Sequence, residues 1–244
     1  MGSPSEIEVS GFETMASAME FADNYNGWIL GKFAPYMGKR LLEIGTGQGN
    51  FKKMLADKTR FYASIDIDKD VILRARERDP SGVYEVADLA SDDFCPSLSH
   101  YDFDTIICVN VLEHVPDHKA GLNNMISLLK PGGHLLLFVP AFTHLYNDLD
   151  KLAGHLRRYK TKDISGLLDK NLKCTIVMNE YFNPVGAFGW WLNKFTTHKN
   201  INSKNVNSQV VFFDKYAVPV SKAFNLFTKG FWGQSLYCVI RKDS

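Results

Sequence analysis

Residues 154–159 read GHLRRY and place a histidine, two arginines and a tyrosine in one short stretch. His155 can accept a proton from a hydroxyl or an amine near neutral pH. Arg157 and Arg158 can fork onto a carboxylate or a phosphate. Tyr159 can donate a hydrogen bond or lay an aromatic face over a cation. The same residues also suit a solvated basic turn, with Thr161 capping the helix that follows. Which use they serve depends on the elements that deliver them.

A second set of residues could grip a ligand. The stretch LLEIGTGQGNF (41–51) carries Gly45, Gly47 and Gly49 between an apolar run and a helix-compatible one. Glycine there permits a tight turn and lets a ligand approach the backbone. Asn50 stands where a dinucleotide-binding loop wants its third glycine, which disfavours a pyrophosphate grip. Glu43, just ahead of the loop, would repel phosphates and suits a cationic ligand. Asp66 closes the next apolar run, where a carboxylate can accept both hydroxyls of a ribose. Asp88 closes the third, where it can accept an exocyclic amine. A nucleoside bearing an amino acid and a sulfonium, without phosphate, satisfies all three conditions.

The segments that must position these residues alternate. Residues 39–45, 60–68, 82–90, 103–112 and 132–141 read as apolar strands, and 172–182 and 235–242 as two more. Helix-compatible segments lie between the first five. This alternation predicts a parallel sheet covered on both faces. Residues 21–40 read as an amphipathic helix with Phe21, Tyr25, Trp28 and Ile29 on one face. Between the last two strands, PVGAFGWWLNKF (184–195) and VVFFDKYAVPVSKAFNLF (210–227) read as apolar helices. A polar, mobile loop at 197–209 would join them. The intervening segment is too short for a core of its own. The chain therefore reads as one domain, 1–244, with a helical lid at 1–38 and an aromatic helical insertion at 181–233.

In order and spacing, LLEIGTGQGNF, SIDID, VADLA, VNVLEHV and LLKPGGHLLLFVPA resemble the class I S-adenosylmethionine-dependent methyltransferases, over roughly residues 24–141. The later GHLRRY, FNPVGAFGWWLN and FWGQSL stretches resemble a bacterial subgroup of unassigned substrate. The resemblance implies an α/β fold: a Rossmann-like, seven-stranded, mostly parallel sheet with helices on both faces, its last strand antiparallel. It implies S-adenosylmethionine as cofactor. Glu43, Gly45, Thr46, Gly47 and Gly49 would line its methionine end. Asp66 would hold the ribose, with Ile67 against the adenine. Asp88 and Leu89 would meet the adenine edge and face. Asn110 would offer its backbone carbonyl near the amino group, and Tyr25 would touch the carboxylate or sulfonium.

For the acceptor, His155 and Tyr159 are the expected catalytic residues. Arg157, Arg158, Tyr146, Asn183 and Trp190 are the expected substrate contacts. Trp190 and Trp191 should point to different faces of their helix. Glu113 and His114 sit side by side in NVLEHV, with His118, His144 and His155 as neighbours to consider. Some methyltransferases acting on RNA 3′ ends have a Glu-x-x-Glu-His metal site. Here Asn110 replaces the first glutamate, so no metal is expected.

Composition narrows the partners. A formal net charge of +1, with 23% charged and 45% hydrophobic residues, asks for neither nucleic acid nor an anionic membrane. The four cysteines form no CxxC pair, and three lie in strand-like runs, which suits free thiols in a reducing cytosol. The N-terminus has no signal pattern. No apolar run approaches the ~20 residues of a membrane span, so stable membrane insertion is not expected. The expected activity is methyl transfer to oxygen or nitrogen of a small acceptor, with the arginines favouring an acidic one. Cleavage of the cofactor's aminocarboxypropyl arm, releasing methylthioadenosine, is the rival chemistry. A non-catalytic binding module is the rival class. The aromatic insertion would suit an aromatic or a lipid-linked acceptor, though neither a basic patch nor a long apolar helix favours the lipid.

Overall fold

Strands buried on both faces need apolar side chains pointing both ways, and the apolar runs supply them. The structure is a computed structural model that describes residues 22–195 and 204–244. Its strands are β1 (Arg40–Ile44), β2 (Phe61–Asp66), β3 (Val83–Val86), β4 (Thr105–Val109), β5 (His134–Pro140), β6 (Cys174–Phe182) and β7 (Ser235–Lys242). They form one sheet in the order β3-β2-β1-β4-β5-β7-β6. The pairs of β1 with β2 and β4, of β2 with β3, and of β4 with β5 are parallel. β7 runs antiparallel to both β5 and β6. Strand order reverses between β1 and β4. Connections leaving those two strands diverge to opposite sides and open a crevice at their carboxyl ends.

The helices are α1 (Asp23–Phe33), α2 (Asn50–Leu55), α3 (Lys69–Arg78), α4 (Phe94–Leu98), α5 (His118–Leu128), α6 (Asp148–Leu152), α7 (Thr161–Leu167), α8 (Pro184–Leu192), α9 (Lys204–Phe212) and α10 (Val218–Thr228). Alternation along each strand splits the core in two. Leu42, Ile106, Leu135 and Leu137 pack with Leu122, Met125 and Ile126 of α5. Leu41, Ile107, Leu136 and Phe138 pack on the other face with Trp28, Ile29 and Phe33 of α1. The described part of the expected lid is thus a core helix, carrying Tyr25 into an aromatic group with Phe138, Phe182 and Phe213. Phe21 lies outside the described residues.

Between β6 and β7 the chain forms α8, α9 and α10, with a π-helical turn at Phe213–Ala217. Helix occupies 204–209 of the expected loop, and the rest of that loop lies outside the described residues. At the start of α7, Lys160 is the capping position, with Thr161 the first helical residue. The Lys160 N–H donates to the Asp163 carboxylate at 2.7 Å.

No side chain of its own caps the N-terminus of α1. Asp214, from the π turn, does this from outside. Its carboxylate accepts the Tyr25 N–H at 2.8 Å, the Asn24 N–H at 3.3 Å and the Asn24 side-chain amide at 3.1 Å. A carboxylate there satisfies orphan donors and suits the helix dipole. Asp214→Ala should cost about 1–3 kcal/mol, measured by urea unfolding. An unchanged midpoint would mean that solvent replaces this cap without loss.

Candidate active site

The glycine loop leaves β1 at the crevice. Gly45, Gly47 and Gly49 all have left-handed φ, +82°, +47° and +75°. At Gly45 a Cβ would also lie 2.5 Å from Val111 Cγ2, so glycine is required twice over. The Gly45 and Thr46 N–H groups donate to the Ile65 carbonyl at 2.8 and 3.0 Å, pinning the loop to β2. The Thr46 hydroxyl pairs with Ser64 at 2.8 Å.

Glu43 is buried beneath the loop, where it lines a small cleft with Gly45, Phe51, Ile107 and Val109. Its carboxylate accepts from the Tyr62 hydroxyl at 2.6 Å and the Ser64 hydroxyl at 3.0 Å. Burial lifts its pKa to about 7, against the lowering effect of those two bonds. Asp66 ends β2 and is also pushed up by burial, while accepting the Asp68 N–H at 3.0 Å and the Gly47 N–H at 3.4 Å. Beside it Ile67 is 69% exposed, an aliphatic face open to a flat apolar ring. Asp88 is exposed and accepts the Ala90 N–H at 2.8 Å, with Leu89 buried behind it. Asn110 leaves β4 with φ +53°. Tyr25 is buried, its hydroxyl near Ser235 and Asn183.

The GHLRRY stretch is built around a carboxylate that sequence reasoning passed over, Asp150 of α6. Asp150 is buried and accepts from His155 Nδ1 at 2.8 Å, Arg158 Nε at 2.9 Å, Trp190 Nε1 at 3.1 Å and the Asn147 N–H at 2.9 Å. Burial works to raise its pKa, but His155 and Arg158 outweigh it and the net direction is down. Arg158 is buried too; it bonds the Ala141 carbonyl at 2.9 Å and lies over the Trp190 ring at 5.3 Å. Arg157 caps the Val115 and Pro116 carbonyls. Tyr159 is in the core, its hydroxyl donating to the Leu112 carbonyl at 3.2 Å with His118 Nδ1 at 3.0 Å. The Tyr146 hydroxyl donates to the His155 carbonyl at 2.7 Å. Asn183, with φ +64°, caps α8 through Gly186 N–H at 2.9 Å and is fully buried. Arg158, Tyr159 and Asn183 thus have their polar groups engaged inside the protein. The reading of GHLRRY as a solvated basic turn also fails for Arg158.

His155 instead turns its second nitrogen toward Glu113. Nε2 lies 3.7 Å from Oε1 of Glu113. Both Glu113 oxygens are buried without a hydrogen-bond partner, and burial lifts that carboxyl to about 7. His114 meets the His155 ring edge-on at 4.9 Å, and burial followed by His155 lowers its pKa to about 4. One ligand atom from each of Glu113, His114 and His155 lies within 4.8 Å of the others, so the trio could hold a cation. The expectation of no metal rested on Asn110, whereas the third ligand would come from the distant loop. His144 stacks on Phe142 and Trp232 instead. Trp191 is turned away from Asp150, stacking on Phe188.

Comparisons with known proteins bear on the family and the fold. The profile of a family described as a methyltransferase domain matches residues 25–201. A ubiquinone biosynthesis O-methyltransferase of Xanthomonas euvesicatoria pv. vesicatoria (strain 85-10) is 32% identical over 159 residues, covering 54% of this chain and 66% of that protein. The one from Glaesserella parasuis serovar 5 (strain SH0165) is 26% identical over 184 residues, covering 64% and 74%. The match therefore spans just under two thirds of the first of these relatives. Among solved structures, the N-methyltransferase NodS from Bradyrhizobium japonicum WM9, in complex with S-adenosyl-L-homocysteine, has a TM-score of 0.56 at 15% identity, covering 97% of this chain and all of that one. Phosphoethanolamine N-methyltransferase 2 of Haemonchus contortus, with S-adenosyl-L-methionine, has a TM-score of 0.56 at 18% identity, covering 93% and 56%. At these identities the likeness is one of fold. The fold and loop define a class I S-adenosylmethionine-dependent methyltransferase, and the chain belongs to the methyltransferase-domain family. The donor set fits that cofactor: a glycine-rich loop over a buried acid, a strand-end carboxylate that could accept ribose hydroxyls, and an exposed aliphatic residue that could meet a flat base.

Two tests follow from the electrostatics. Glu43 keeps its proton in the folded state up to about pH 7, while the unfolded carboxyl loses it near 4.5. The folded state binds more protons in that window, so this group's contribution to stability falls as pH rises from 4.5 to about 7. Glu43→Gln can still accept from Tyr62 and Ser64. Its melting temperature relative to the parent should climb across that window and level off above it; a constant difference would refute the raised pKa. Arg158→Ala strands the buried Asp150 charge and should cost about 3–5 kcal/mol, whereas Arg157→Ala should cost much less. Equal losses in chemical denaturation would put the buried charge elsewhere.

Proposed function

We propose that this enzyme transfers a methyl group to a hydroxyl oxygen of a small acceptor with an acidic, phenol-like hydroxyl. The observation that carries the reading is the Asp150–His155 pair, set beside the loop that follows β4. Proton removal from a hydroxyl needs a base held in one tautomer and orientation, and a carboxylate on Nδ1 supplies that. The oxygen rather than the nitrogen reading is also supported by the curated relatives, which are named as O-methyltransferases of ubiquinone biosynthesis.

When bound, S-adenosylmethionine supplies a methyl carbon made electrophilic by its sulfonium. Asp66 and Asp88 would hold the nucleoside and the glycine loop the amino-acid end, with Glu43 beneath that loop. His155 Nε2 would take the acceptor proton as oxygen closes on the methyl carbon. Asp150 stabilises the imidazolium that results. Arg158, Trp190 and the Asn147 N–H keep Asp150 in place, and Tyr146 fixes the His155 backbone. Three of the expected substrate contacts thus serve as a frame for the base. Alignment of nucleophile and methyl would supply much of the remaining rate. Four free cysteines accord with a reducing cytosol.

The test is mass spectrometry of the protein with S-adenosylmethionine and a panel of phenols and catechols. S-adenosylhomocysteine with a methyl ether is the expected product pair. Methylthioadenosine, or turnover of amines only, would overturn the reading. His155→Ala should lower kcat by about 10²–10⁴-fold and leave cofactor affinity unchanged. Asp66→Ala should weaken cofactor binding by about 1–3 kcal/mol in calorimetry.

A further inference from the structure

The segment between β6 and β7 carries an unusual outer surface. Phe212, Tyr216, Val220, Phe224, Phe227 and Phe231 are 48% to 81% exposed. On α10 itself Val220, Phe224 and Phe227 fall within an arc of about 60°, with Tyr216 in the π turn before the helix and Phe231 in the turn after it. The opposite side of α10, with Val218, Ser221 and Asn225, is buried against the protein. Such a face is neither a core stripe nor scattered surface apolarity, and contiguous apolar surface of this kind marks an interaction site. α8 adds a second exposed group, Phe188, Trp191 and Leu192, continued by Phe195 just beyond its end. It is tied to α10 by the bond from Val185 N–H to the Ser221 hydroxyl, 3.3 Å.

Charge selects the occupant. Residues 184–233 contain six lysines, no arginine and a single acid, Asp214, while the whole chain has a formal charge of only +1. Asp214 is buried under α1, so it does not offset the lysines at the surface. Lys215, Lys222 and Lys229 recur every seven residues, along one flank of the aromatic row. Lys215 and Lys222 are exposed, and Lys229 pairs with Glu180 at 2.8 Å. Aromatic rings on one face, with lysines at its border, match a helix lying in the plane of an anionic bilayer. The rings enter the acyl boundary, and the lysines reach up to the headgroups. A second copy of the same surface would bring lysine rows of like charge together. Among the described residues no helix is long and apolar enough to cross a membrane, which agrees with surface docking.

We propose that the outer face of α9, the π turn and α10 docks on an anionic phospholipid bilayer. The inference stands apart from the acceptor chemistry, because vesicle binding is measured without turnover. It would place α8 near lipid, and through the Trp190–Asp150 bond that helix also abuts the catalytic base. An acceptor dissolved in the bilayer would then be within reach.

The experiment is co-sedimentation of the full chain with vesicles of phosphatidylcholine, alone and with added phosphatidylglycerol. Binding to the anionic vesicles should be at least about tenfold tighter than to neutral ones, and should weaken as salt is raised. Phe227→Glu with Phe231→Glu should weaken it at least about tenfold with an unchanged melting curve, both residues being exposed. Lys215→Gln with Lys222→Gln should reduce the preference for phosphatidylglycerol. No binding to anionic vesicles, or full binding by the Phe227/Phe231 variant, would overturn the proposal. So would a dimer in analytical ultracentrifugation that this variant dissociates while vesicles capture nothing, since a second copy would then be the occupant.

Discussion

A single buried carboxylate organises the half of the molecule that carries the GHLRRY stretch. Asp150 collects donors from His155, Arg158, Asn147 and Trp190. Those residues come from the loop after β5, from the start of α6 and from α8. A charge this deep is tolerated only when paired and fully hydrogen-bonded. Asp150 therefore dictates where α8 sits, how the GHLRRY backbone turns and which tautomer His155 adopts. The insertion between β6 and β7 is held at this end by the Trp190–Asp150 bond and at the other by Asp214 on α1.

The other half rests on a constraint of topology. Strand order reverses between β1 and β4, and the crevice that results must be floored by backbone that can bend sharply. Gly45 meets this need, where a left-handed φ coincides with the close approach of Val111. Glu43 is held under the loop by Tyr62 and Ser64, both from β2, so the register of β1 against β2 positions the acid. The two halves meet at the turn after β4, where Glu113 faces His155. That carboxyl is raised by burial, and its oxygens have no hydrogen-bond partner.

Much of the fold was legible in the chain because its signals are local. Seven apolar runs became seven strands with ends shifted by a few residues. Gly45, Gly47 and Gly49 follow β1 and Asp66 closes β2, where their positions in those runs put them. The substrate half read less well. Arg158 and Tyr159 look like solvent-facing chemistry in a basic stretch, yet both are buried. Nothing in GHLRRY announces that Arg158 serves Asp150, since the bond depends on how α6 packs. Likewise α1 reads as an amphipathic lid, but its aromatic residues are sheet-covering core.

The sequence by itself determined the strand–helix alternation, the glycine loop, the acids at the ends of β2 and β3, and with them the class of cofactor. These follow from residue type and from periods of two and three to four residues, which act over a few neighbours. Tertiary structure alone decided that Asp150 gathers His155, Arg158 and Trp190, that His155 meets Glu113 and His114, and that Phe224 and Phe227 of α10 face outward. Each depends on which surfaces are brought together across the fold. Burial, and the pKa and pairing it imposes, is a property of that arrangement and of no short stretch of chain.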